Sequence, residues 1–130
     1  MTNNNVKMLS EEEISELKKK SPHRSGVWEI DWGPETFSGS LDVTLTIVAH
    51  QESYFILEMC VSPSDEIGKG IKALINATKK ELTLPSIILV RDKILADEIT
   101  PLAGLLGCEI KISKLKVIPQ IRRDLRRHFG

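Results

Sequence analysis

The chain has 130 residues, 41% apolar and 28% charged, a length at which folding removes roughly two-thirds of the unfolded surface from water, so that one core closes without disulfides or a structural metal. Eighteen basic against eighteen acidic side chains give a formal charge of zero, which excludes polyanion binding by net charge and leaves only local patches. Two cysteines, Cys60 and Cys108, make neither a disulfide framework nor a zinc cluster, and no apolar run approaches the ~20 residues that would cross a bilayer.

Residues 1–9 are polar and Asn-rich, without the charged-then-apolar order of a secretory signal, so a disordered lead-in and a cytoplasmic location are expected, with 10–130 as a single α/β domain. Ser10 followed by Glu13 is a capping box that opens a short helix to about Lys20, stopped by Ser21-Pro22. Val27 to Asp31 reads as a first strand ended by a Gly33-Pro34 turn. Leu41 to Ala49 is rich in β-branched residues and puts Leu41, Val43, Leu45 and Ile47 on one face. A polar tip at 50–53 joins it to a third strand, Tyr54 to Val61, as a hairpin. Ser62, Pro63 and Asp65 start a helix reaching about Glu81, with Ile67, Ile71, Leu74, Ile75 and Thr78 along its buried stripe.

Ser86 to Val90 is an unbroken apolar run that suits a strand covered on both faces. Asp92 caps the next helix, which ends before Gly107 and contains Pro101, so that it either kinks there or splits. Cys108 to Ser113 alternates as an edge strand, and a final helix from about Pro119 to Phe129 spaces Ile121, Leu125 and Phe129 by four under a basic outer face.

A helix, three strands, then helix, strand, helix, strand, helix is an antiparallel meander extended by βαβ crossovers into one mixed five-stranded sheet. That order, with an aspartate in W-E-I-D-W (Trp28 to Trp32) and another closing L-P-S-I-I-L-V-R-D (Leu84 to Asp92), resembles the ribonuclease H-like fold of integrase and transposase cores over roughly residues 27–113. A closer resemblance is to a family of small bacterial proteins, frequent in cyanobacteria, classed as a domain of unknown function. It rests on W-E-x-D (Trp28 to Asp31), P-x-x-I-x-V-R-D (Pro85 to Asp92) and the strand followed by Ile118-Pro119 and a short terminal helix. The integrase resemblance implies acids on the first strand and after the fourth; the family implies no activity.

Asp31 and Asp92 are therefore the candidate catalytic and metal-binding pair, able on neighbouring strand ends to hold Mg²⁺ for attack on a phosphodiester. Such a site normally needs a third acid, and neither Asp124 among its arginines nor the early Glu66 completes it. The plainer duties are a turn for Asp31 and a helix cap for Asp92. Arg122, Arg123, Arg126 and Arg127, with Lys111, Lys114 and Lys116, form a basic surface that would meet phosphates or an acidic partner, or simply lie solvated. Trp28 and Trp32, with Phe37, form either a protein-binding patch or packing under the N-terminal helix. Gly68-Lys69-Gly70 lacks the rest of a phosphate loop, the three histidines are scattered, and the cysteines have no activating neighbours. The expectation is a non-catalytic binding module without cofactor, whose partner is a protein or a second copy. A Mg²⁺-dependent nuclease or transposase-derived core is the alternative. Nucleic acid is the weaker partner because no aromatic residues interleave the basic ones.

Overall fold

The computed structural model describes residues 26–37, 41–62, 69–81 and 83–129, with Glu12, Ser15, Glu16 and Lys19 helical and exposed ahead of them, and the two central strands are buried on both faces over 28–31 and 43–49. The expected disorder of 1–9, most of the N-terminal helix and the helix start at 63–68 lie outside the described residues, while Ser62 is the buried last residue of the third strand. β1 spans Val27–Phe37, β2 Leu41–His50 and β3 Ile56–Ser62, followed by helix α1 over Lys69–Glu81. Then come β4 at Ile87–Val90, α2 at Lys93–Leu106, β5 at Glu109–Ile112 and α3 at Val117–Phe129. The five strands lie in the order β3-β2-β1-β4-β5, with the first three antiparallel and β4 and β5 parallel to β1. This is the mixed α/β sheet that the order of elements implies.

Alternation sorts β1 between two layers. Trp28 and Ile30 face the main core, which they share with Val48, Ile88 and the apolar stripes of α1 and α2. On the other face, Leu45, Ile47 and Ala49 of β2 pack against Leu115, Val117 and Ile118 at the start of α3. Glu29, Asp31, Gly33 and Glu35 point to this second face, beneath α3.

Three boundaries differ from the expected ones, and one expected break is absent. Gly33-Pro34 does not turn the chain: β1 continues to Phe37, with Pro34 opposite Thr44. The reason is local, because β4 pairs β1 only along Val27 to Glu29, so beyond that point one edge of β1 has no strand neighbour and a residue without an N–H is tolerated. β3 starts at Ile56, since Tyr54 has a left-handed φ of 64° and closes the hairpin turn by donating its N–H to His50 O at 2.9 Å. α2 runs unbroken through Pro101, which lies on its exposed side, and ends on left-handed Gly107. α3 begins at Val117, two residues before the proline. No described helix is long and apolar enough to cross a membrane.

Candidate functional site

Three acids on one face of β1 meet the start and the arginines of α3. Glu29, fully buried, accepts the N–H groups of Lys116 (2.8 Å), Val117 (3.0 Å) and Ile118 (3.0 Å), as well as the Gln51 amide (3.0 Å). Pro119 follows with no N–H, so this carboxylate satisfies the amides that open the helix and sets a negative charge against the positive end of its dipole. Further along, Glu35 accepts Arg122 Nη1 at 2.8 Å, Arg126 Nη2 at 2.7 Å and Arg126 Nε at 2.9 Å. Arg122 also donates Nη2 to Leu45 O at 3.1 Å and places Nε 3.5 Å from Asp31 Oδ2. The Arg126 hydrogen bonds, aided by Arg122, hold Glu35 below its ordinary carboxyl value against the effect of burial.

Asp31 and Asp92 do come together, but through a guanidinium. Arg91, the residue after β4, donates Nε to Asp31 Oδ1 at 2.7 Å and Nη1 to Asp92 Oδ2 at 2.6 Å. Its Nη2 reaches Trp32 O at 3.2 Å, on the edge of β1 that β4 leaves open. The other oxygen of Asp92 caps α2, accepting the Leu95 N–H at 3.0 Å. Burial pushes Asp31 above its ordinary carboxyl value, against the pull of Arg91 and Arg122. A hard divalent cation takes a near-complete shell of oxygens. Here the oxygens of the acid pair face nitrogen donors, α3 offers Arg122 in place of a third acid, and Asp124 is exposed. Among the described residues no three His, Cys, Asp or Glu side chains converge. These donors, as placed, do not fit Mg²⁺.

The remaining candidates divide by burial. Arg122 is buried and Arg126 is bound to Glu35, so neither belongs to a free basic surface, whereas Arg123 and Arg127 are exposed. Trp28 is 1% exposed within the main core and Trp32 packs against the same core, which removes Trp28 from any contact patch. Asp31 is no turn residue: it sits inside β1 opposite Ile47. Beside the Asp31–Arg91 pair opens a cleft of about 1020 Å³, with Lys114, Lys116, Arg123 and Tyr54 on its walls.

Glu29, Glu35 and Arg91 escaped the sequence reading, although a signal existed. Acids at positions 29, 31 and 35 share one face of a strand, and arginines at 122 and 126 share one face of a helix. Reading the terminal basic segment and the acidic first strand as partners requires only that those two periodicities be set side by side.

A mixed five-stranded sheet in the order β3-β2-β1-β4-β5 with helices packed on it has the ribonuclease H-like fold, and solved structures share that fold. The HTLV-2 integrase catalytic core domain in complex with magnesium superposes in its trimeric form with a TM-score of 0.64 at 10% identity, over 82% of this chain and 70% of that one. Its dimeric form gives 0.61 at 11% identity, over 82% and 69%. Residues 13–126 match the family model described as a domain of unknown function, DUF6930, and the chain belongs to that family. Among curated proteins no sequence matches it.

Proposed function

We propose that this chain is a non-catalytic ribonuclease H-like domain that works by contacting a partner, a protein or a second copy, without cutting phosphodiesters. The observation that supports this reading is the Arg91 guanidinium bonded to Asp31 on one side and Asp92 on the other. A charge already neutralised by a tethered cation gains little from a metal ion, and recruiting one would first expel Arg91. A cytoplasmic location and the absence of a cofactor belong to the same reading.

The competing reading, Mg²⁺-dependent nuclease chemistry at Asp31 and Asp92, draws on the likeness to an integrase core in complex with magnesium. Thermal melts with and without millimolar Mg²⁺ or Mn²⁺, paired with cleavage assays on single- and double-stranded oligonucleotides, separate the two. The expected result is no metal-dependent rise in Tm and no cleavage. A rise that disappears in Asp31→Asn or Asp92→Asn, or metal-dependent cleavage, would overturn the proposal.

A further inference from the structure

The strand order creates a crevice at one place. From β1 the chain goes to β2 and β3 on one side of the sheet, and the crossover through α1 carries it to β4 on the other, so the connections diverge between parallel neighbours β1 and β4. Open α/β sheets collect ligands at such a point, outside the carboxyl ends of the strands. Arg91 after β4 and Ile112 at the end of β5 line the cleft at this end, and Tyr54, on the β2–β3 turn whose Gln51 N–H bonds Val27 O, lines it from the amino end of β1; its 1020 Å³ is at the top of the range of small-molecule sites, about 300–1,000 Å³.

Its walls are chemically lopsided. Lys114, Lys116 and Arg123 are exposed and have no acidic partner among the described residues. The carboxylate on the lining, Asp31, is 9% exposed and already held by Arg91 and Arg122. In a protein of zero formal charge, this is a concentrated positive field.

Tyr54 supplies a second, independent observation. It is the one non-glycine residue with positive φ among the described residues, at 64°, yet its side chain is 54% exposed and lines the same cleft. That backbone conformation favours glycine, so a tyrosine there lowers stability without the return of a buried ring. Strain kept at an exposed aromatic that lines the same cleft as the unpaired cations points to recognition of something planar and anionic.

We propose that this cleft binds a nucleoside phosphate, with its phosphates against Lys114, Lys116 and Arg123 and its base stacked on Tyr54. Charge-assisted hydrogen bonds from the three cations hold the anion, and the aromatic face takes the ring whichever base it is. A free nucleotide and the phosphorylated end of a strand carry the same chemistry. The inference rests on the reading above in one respect: the ligand is bound and not hydrolysed.

Calorimetric titration of the intact chain with ADP, and with short oligothymidylates with and without a 5′-phosphate, tests it. ADP binding is expected, weakened about ten-fold by each of Lys114→Ala, Lys116→Ala and Arg123→Ala. Lys72→Ala, an exposed cation on α1, should leave it unchanged. Tyr54→Phe should retain affinity, whereas Tyr54→Gly should raise Tm and lower affinity about ten-fold, a combination that a purely structural tyrosine would not give. Tighter binding of the 5′-phosphorylated oligonucleotide than of ADP assigns the ligand to a strand end. No binding of any probe at millimolar concentration, an equal loss with Lys72→Ala, or full affinity in Tyr54→Gly would overturn the site. Release of inorganic phosphate from bound ADP would instead overturn the non-catalytic reading and leave the site standing.

Discussion

Arg122 is pinned by three groups at once: the Glu35 carboxylate, Leu45 O and, at longer range, Asp31. Arg122→Ala removes one of the two guanidiniums on Glu35, which keeps both Arg126 hydrogen bonds, and the side-chain donor to Leu45 O, so a loss of about 1–3 kcal/mol is expected in urea unfolding. Arg123→Ala, one residue along on the exposed side, should change stability by less than about 0.5 kcal/mol. The two acids over this helix also respond oppositely to pH. Glu35, lowered by Arg126, contributes stability that is full above the ordinary carboxyl range and lost as pH falls through its folded value. Asp31, raised by burial, contributes stability that is full below its ordinary value and lost as pH rises through the raised one. Plotting the urea midpoint against pH should therefore show Glu35→Gln flattening the acid-side loss and Asp31→Asn removing a loss that sets in at higher pH.

At the level of elements, α3 depends on an acceptor outside itself. Glu29→Ala takes the acceptor from three amides, of which those of Val117 and Ile118 are buried and cost about 1–3 kcal/mol each, and hydrogen exchange over the first turns of α3 should quicken before that of β1. In α2, Pro101 denies the helix one backbone bond on its exposed side, so Pro101→Ala should raise stability by about 1 kcal/mol or more, read from thermal melts. The elements themselves were legible in the sequence wherever periodicity was strong, as in the alternation of β2 and the capped, glycine-ended α2. Boundaries were lost where local chemistry misled. Gly-Pro signals a turn, but here the open edge of β1 accepts it, and the start of α3 two residues before its proline is set by a carboxylate 87 to 89 positions away. The acid pair was legible as residues but not as a site, because nothing in the spacing of Arg91 from Asp31 says which of them the guanidinium will reach.

For the whole molecule, the parallel strands and the crossovers that the order of elements implies are the framework on which the cleft and the acid–arginine ladder rest. β1, flanked by β2 and β4 and sandwiched between two apolar layers, should show the slowest amide exchange over its first residues, with the edge strands β3 and β5 faster. Composition could not reveal that, in a chain of zero formal charge, Lys114, Lys116 and Arg123 gather on the walls of one cleft. One consequence follows from the cation between Asp31 and Asp92 being part of the polypeptide: it cannot be titrated away. At equal ionic strength, the joint between the first strand and the α2 cap should hold equally well in chelator and in divalent salt, its stoichiometry set by translation.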